Sequence, residues 1–337
     1  MLVEGTILRG PNFEPVEGRV VLEDGTITAI EEESVSSSDI ILPAFVNAHT
    51  HIGDSIAKEA GGGLSLEELV APPDGLKHRL LRQTSRSEKV EAMRRSVQFM
   101  QSTGTASFLE FREGGVEGVF ALREAAEGLD IDPVILGRET IEAMEAADGF
   151  GASGANDDSF GRERRATKKA DKLFGIHAGE ADASDINPAL DLSPEFLVHV
   201  VHPEPIHLDR IENNEVPIAV CPRSNLVTGV GLPPIRELLD RTTVALGTDN
   251  VMLNSPSMFR EMEFTAKLTD LSAREVLRMA TQNGARIAGL NCGVIEPNRD
   301  GKLLVLDGSS NNLSGNRDVI RSVVRRAGAS DVKDVLL

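Results

Sequence analysis

Apolar positions change their spacing twice along the 337-residue chain. Residues 1 to about 43 alternate apolar and polar positions, as strands do. Gly18-Arg19-Val20-Val21-Leu22 and Thr26-Ile27-Thr28-Ala29-Ile30 flank Glu23-Asp24-Gly25, which predicts a hairpin. From 44 to 289, short apolar runs alternate with helical patterns. Val90, Met93, Val97 and Met100 lie at helical spacing, with Gly104 placed to end that helix. Strands are predicted in the run ending at His51, at Thr105–Leu109, Pro133–Leu136, Gly149–Gly151, Leu173–Ile176, Phe196–Val198, Pro217–Val220 and Val244–Leu246. Eight strands with helices between them predict an α/β fold, a (β/α)8 TIM-like barrel whose chemistry sits at the C-terminal strand ends. Ser272–Leu290 reads as one more helix, with Leu277, Ala280 and Ile287 on its apolar face. Gly293-Val294-Ile295 and Lys302–Leu306 return to β texture. Residues 1–43 and 290–337 are therefore expected to form a small β-sandwich domain beside a catalytic barrel spanning 44–289. Ser34–Ser38 reads as a loop, and Asp318–Leu337 is charged and carries no clear period.

Charge narrows the partners. The formal balance of 35 − 53 = −18 argues against nucleic acid or an anionic membrane and leaves a small-molecule substrate. Only nine of the 35 basic residues are lysines, which with many carboxylates suits a solvated surface in a salty cytoplasm and equally an ordinary acidic protein. No apolar run reaches membrane-spanning length, and Met1-Leu2-Val3-Glu4 opens no signal peptide. Cys221 and Cys292 make neither a disulfide framework nor a clustered zinc motif, so a reducing, cytoplasmic setting is expected. A homo-oligomer is left open.

The apolar run after Pro43 ends in His49 and His51. On a strand, side chains two apart point to the same side, so both imidazoles can reach one metal ion. His177, His199 and Asp249 each also follow a short apolar run.

Five motifs in order carry a resemblance. Asn47-Ala48-His49-Thr50-His51, His177-Ala178-Gly179-Glu180, Leu197-Val198-His199, Cys221-Pro222-Arg223-Ser224-Asn225 and Leu246-Gly247-Thr248-Asp249 resemble the signatures of strands one, five, six, seven and eight of the amidohydrolase superfamily. The branch they resemble holds guanine deaminase, S-adenosylhomocysteine and related adenosine deaminases, and the triazine hydrolases. The likeness spans nearly the whole chain and would explain a β domain built from both ends.

Three neutral imidazoles (His49, His51, His177) and the Asp249 carboxylate suit one divalent ion, zinc or ferrous iron, with a position left open for water. Such an ion lowers the pKa of water and supplies hydroxide near neutrality. Glu180, three residues after His177, is the candidate general acid–base. His199 can orient the hydroxide, and Asp249 can hydrogen-bond it. The resemblance would allow a second metal through a lysine on the fourth strand. No lysine lies between Glu139 and Gly154, and Lys168 and Lys169 read as helical, so one metal is expected.

For substrate binding the candidates are Arg112, Arg223 and Arg138, after the second, seventh and third strands, because guanidinium forks suit carboxylates, phosphates or ring carbonyls. Asn225, His202 and His207 read as supporting residues and His78 as solvated. With no Tyr or Trp in the chain, stacking would fall to Phe111 or Phe150. The chain is also shorter than many such relatives, which suggests trimmed peripheral loops. The expected activity is hydrolytic deamination of an aminated heterocycle (purine, pterin, pyrimidine or nucleoside). The alternatives are ring-amide hydrolysis of the imidazolonepropionase type and a non-catalytic scaffold.

Overall fold

The alternation near the N-terminus becomes four strands in the computed structural model, which describes residues 1–70 and 74–337. They are β1 (Leu2–Arg9), β2 (Glu14–Glu23), β3 (Thr26–Glu32) and β4 (Ile40–Pro43). The predicted hairpin joins β2 to β3, with Val20 opposite Ile30. Asp24 and Gly25 turn it at φ 48° and 76°, the left-handed pair that suits the twist of flanking strands.

Nine parallel strands follow. They are β5 (Phe45–His51), β6 (Thr105–Arg112), β7 (Asp132–Gly137), β8 (Gly149–Ala152), β9 (Leu173–Ala178), β10 (Phe196–His199), β11 (Ile218–Val220), β12 (Val244–Leu246) and β13 (Asp249–Asn250). Their order is β12-β11-β10-β9-β8-β7-β6-β5-β13. Only Gly247 and Thr248 separate β12 from β13, yet β12 pairs with β11 and β13 with β5. The sheet therefore curls back on itself. Val46, Leu109, Leu136, Val198, Ala219 and Ala245, from six of its strands, meet in one buried cluster. They can do so only on the concave side, and they form the floor beneath the site. The convex side is covered by helices: Phe108 packs with Met93, Val97 and Met100 of the helix Arg86–Ser102. Ser85 caps that helix with Glu88, and Gly104 at φ 86° follows its end.

The last strands, β14 (Leu303–Leu306) and β15 (Val332–Leu336), return to the first sheet, whose order is β15-β14-β4-β1-β2-β3. Both chain ends thus share one six-stranded sheet; the described residues give this single sheet where two facing layers are expected of a sandwich. The unplaced segment after Asp318 supplies β15 and the helix Val319–Arg326, whose Ile320, Val323 and Val324 bury themselves against the helices Met258–Leu268 and Ala273–Ala280.

Two sequence expectations change. Ser272–Leu290 forms two helices, Ala273–Ala280 and Gln282–Ala288, broken at Thr281. The Thr281 hydroxyl bonds the Leu277 carbonyl, and Gly284 comes so close to β5 that a Cβ there would stand 2.8 Å from the Val46 carbonyl oxygen. Gly293-Val294-Ile295 is not a strand, because Gly293 adopts φ 84° against the backbone of Thr281 and Gln282.

Candidate active site

Strand ends deliver the site. His49 and His51 close β5, His177 is next to last in β9, His199 ends β10 and Asp249 opens β13. His199 and Asp249 take left-handed φ values of 75° and 57°. For non-glycine residues that costs roughly 1–3 kcal/mol each, and such strain collects at functional sites. The neighbours impose it. Thr248 N–H, one residue before Asp249, lies 3.0 Å from Asn47 Oδ1 and 3.1 Å from the His49 carbonyl, while Asn47 Nδ2 donates to Thr248 Oγ1 at 2.7 Å. Asn47 thus ties the first strand to the last.

The histidines converge through one nitrogen each. His177 Nε2 lies 3.3 Å from His49 Nε2 and 3.4 Å from His51 Nε2. Asp249 Oδ1 lies 3.3 Å from His49 Nε2 and 3.8 Å from His51 Nε2. Burial pushes His49 and His177 below the usual imidazole range, against the pull of Asp249 on His49, and pushes His51 down to about 3. Burial also acts to raise Asp249, but its bond to His49 and the charges of His199 and His49 hold it well below the carboxylate range. Neutral imidazoles bring at most one N–H each to this cluster of nitrogens and a carboxylate, and a cation among them would satisfy the lone pairs together. The His49, His51, Asp249 set has ligand atoms within 4.8 Å of one another, and so has the His49, His177, His199 set. The donor set fits a divalent metal.

Orientation is fixed from behind. His177 Nδ1 bonds the Ala152 carbonyl at 2.8 Å, and His199 Nδ1 faces Asn225 Nδ2 at 3.1 Å. Phe111 packs edge-on against His49 and His177, with ring centroids 4.7 and 5.0 Å apart. On the open side, Glu180 Oε2 lies 3.5 Å from His199 Nε2. Burial raises the Glu180 carboxyl, opposed by His199, which favours a proton-carrying group. A cavity of about 800 Å3 lies in front, lined by His51, His177, His199, Glu180 and Asp249, with Leu66, Val70, Val230 and Leu253 as apolar wall.

Of the three arginines singled out, Arg138 lines this cavity. Arg112 and Arg223 are drawn elsewhere by carboxylates. The Arg112 guanidinium is buried beside Gly53, with Nη1 3.5 Å from Glu110 Oε1. Arg223 Nε donates to Glu261 Oε2 at 2.6 Å and Nη2 to the Ser255 carbonyl at 2.8 Å. Phe111 is wholly buried beneath the histidines, and Phe150 lines a neighbouring cavity, so neither offers a stacking face to the site cavity. His78 is half-buried rather than solvated, its Nε2 3.0 Å from the Val70 carbonyl. His202 lines the cavity, and His207 closes a helix start by accepting the Glu204 N–H.

Sequence reasoning passed over Lys77 and gave Glu113 no role. Glu113 Oε1 lies 2.7 Å from Lys77 Nζ, 2.9 Å from Arg138 Nη1 and 2.9 Å from His51 Nδ1, off the line of a good hydrogen bond to the imidazole. Lys77 also meets Asp54 at 3.1 Å. Burial opposes ionisation of Glu113, but Lys77, His51 and Arg138 hold it well below the carboxylate range. Lys77 carries no local motif, so only the fold could reveal it.

A curled parallel sheet with histidines and an aspartate gathered at its C-terminal strand ends defines a metal-dependent hydrolase. The Amidohydrolase family model matches residues 40–200 and 161–336, and the chain belongs to that family, whose members hydrolyse carbon–nitrogen bonds. A putative aminohydrolase of Methanothermobacter thermautotrophicus is 37% identical over 372 residues, covering 97% of this chain and 95% of its own. The 5-methylthioadenosine/S-adenosylhomocysteine deaminase of Thermococcus kodakarensis is 25% identical over 396 residues, covering 100% of this chain and 92% of its own. In fold, the zinc-complexed atrazine chlorohydrolase TrzN of Arthrobacter aurescens TC1 superposes with a TM-score of 0.85 at 19% identity, covering 100% of this chain and 93% of its own. Among the described residues, no helix is long and apolar enough to cross a membrane.

Proposed function

We propose that the protein is a zinc-dependent hydrolytic deaminase of an aminated heterocycle, such as a purine, pterin, pyrimidine or nucleoside. One observation carries the reading. A partly buried carboxyl, Glu180, and an imidazole, His199, share the cavity with His51, His177 and Asp249 of the cluster that His49 completes. Those four would hold the ion, zinc or otherwise ferrous iron, which when bound supplies Lewis acidity and water of lowered pKa. Attack on an aromatic carbon breaks conjugation, so a proton must reach the adjacent ring nitrogen at about the same moment. Glu180, whose carboxyl burial keeps protonated to higher pH, delivers it and then helps the amino group leave as ammonia. His199 Nε2, beside Glu180, polarises the amino-bearing carbon. Arg138 faces the cavity and grips a substrate carbonyl or anion, while Leu66, Val70, Val230 and Leu253 cover the ring faces that no aromatic residue stacks.

In the same reading, β12 and β13 are one interrupted strand, which makes the closed sheet a (β/α)8 barrel. Residues 44–289 are its catalytic unit, with 1–43 and 290–337 forming the small β domain. The setting is cytoplasmic, and a homo-oligomer is compatible with it.

A screen of aminated bases, nucleosides and pterins with an ammonia readout tests the activity. Glu180→Gln should keep its metal and its substrate affinity while kcat falls roughly 100-fold or more. Ring opening without ammonia would make the enzyme a ring-amide hydrolase instead. A variant that kept most of its kcat would remove Glu180 from the mechanism.

A further inference from the structure

The helix Pro222–Thr228 starts directly at the end of β11, and its first turn turns two side chains onto the site from behind. Ser224 Oγ donates to Asp249 Oδ2, and Asn225 Nδ2 reaches His199 Nδ1. Ser224 is buried, with 1% of its surface exposed, and bonds one oxygen of Asp249 while the other, Oδ1, faces His49 and His51. The helix is itself pinned. Glu261, wholly buried on the helix Met258–Leu268, accepts the Arg223 backbone N–H at 3.0 Å and the Arg223 Nε–H at 2.6 Å. Asp249 gains from such a restraint, because it opens β13 with a left-handed backbone, so regular strand geometry alone does not dictate where its carboxylate points.

We infer that Ser224 is a positioning residue: it occupies Oδ2 of Asp249 so that Oδ1 alone is presented to the metal. The inference rests on the proposed metal reading of His49, His51, His177 and Asp249. A carboxylate free on both oxygens can rotate about its last bond or turn both toward the ion. The serine hydroxyl removes that freedom before the ion arrives, and its proton holds part of the carboxylate charge in place. Partners of this kind, one bond behind a ligand, typically set metal affinity by 10- to 100-fold. Ser224 does not itself line the cavity, so its effect on the site passes through Asp249.

Competition of zinc between the purified full-length protein and a chromogenic chelator tests this without any turnover. Wild type, Ser224→Ala, Ser224→Thr and His51→Ala are compared, each with its metal-free melting temperature. The expected result is zinc affinity about 10- to 100-fold weaker in Ser224→Ala and within about threefold of wild type in Ser224→Thr, which keeps the hydroxyl. Wild-type affinity in Ser224→Ala would overturn the inference. So would a Ser224→Thr variant as weak as Ser224→Ala, since packing rather than the hydroxyl would then be the cause. If Ser224→Ala does not fold, Ser224→Val replaces it: it matches the threonine variant in shape but has no hydroxyl, so it should lose affinity in the same range, and full affinity there overturns the inference. Zinc binding that His51→Ala leaves unchanged, or none in wild type, overturns the metal reading itself, a result distinct from a wild-type site indifferent to Ser224.

Discussion

Replacing Arg223 by methionine separates a structural arginine from a substrate-binding one. Its guanidinium faces Glu261, which has no exposed surface and receives one bond from the Arg223 backbone and one from its side chain. Arg223→Met keeps the backbone bond and most of the side-chain volume, but leaves the carboxylate buried without its counter-charge. Breaking one half of a buried pair costs about 3–5 kcal/mol. The two lost side-chain bonds, to Glu261 and to the Ser255 carbonyl, account for a similar sum at roughly 1–3 kcal/mol each. The cost also depends on pH. Burial already raises Glu261 above the usual glutamate value, with Arg223 opposing it, so losing Arg223 raises it further. A carboxyl whose folded pKa exceeds its unfolded pKa loses stability as pH rises between the two. The penalty should therefore be larger at pH 8 than at pH 5. Urea unfolding at both pH values measures it, and Arg223→Met/Glu261→Gln should recover much of the loss by removing the stranded charge. KM for the substrate should stay near wild type. Destabilisation below about 1 kcal/mol together with a tenfold rise in KM would refute the reasoning and return Arg223 to the substrate.

Three further outcomes follow from the same geometry. Glu110 is buried against Thr50 and the Ile52 N–H, and burial, opposed by Arg112, raises it to about 7 from an ordinary 4.5. Between those values the folded protein holds a proton the unfolded chain has released, so stability should fall as pH rises through that window. Glu110→Gln should remove up to about 3 kcal/mol of this decline, read as a flatter melting temperature between pH 5 and 8; an unchanged slope would contradict it. Arg138→Met should cut kcat/KM by about tenfold or more, the ~1.4 kcal/mol or above of a charge-assisted contact. Arg112→Met should lower stability and leave KM alone, and the reverse pattern would exchange the two roles.

The local sequence carried whatever depends on spacing within one element. His49 and His51 are two apart on a strand, so their convergence needs nothing from the rest of the chain. The hairpin at Asp24-Gly25 and the helix ending before Gly104 are likewise set by backbone preferences of a few residues. The order of short apolar runs was enough for a parallel α/β sheet with chemistry at its strand ends. Backbone φ and packing against distant strands decided the rest. Thr281 breaks the helix because Gly284 meets β5, and Gly293 turns where its neighbours read as a strand.

The arginines show the division most clearly. In the sequence, Arg112, Arg138 and Arg223 are alike: one cation just past one apolar run. Tertiary structure separated them by where the carboxylates fell. Glu261, 38 residues beyond Arg223, takes that guanidinium away from the cavity, and Glu110 draws Arg112 inward, while Arg138 keeps one face on Glu113 and another on the cavity. Lys77 and Ser224 entered the site by the same route, through partners that only folding brings near. A metal-binding pattern on one strand is a local periodicity and can be read from the chain. The destination of a long charged side chain depends on which opposite charge is buried within its reach, and that is fixed only when the strands close.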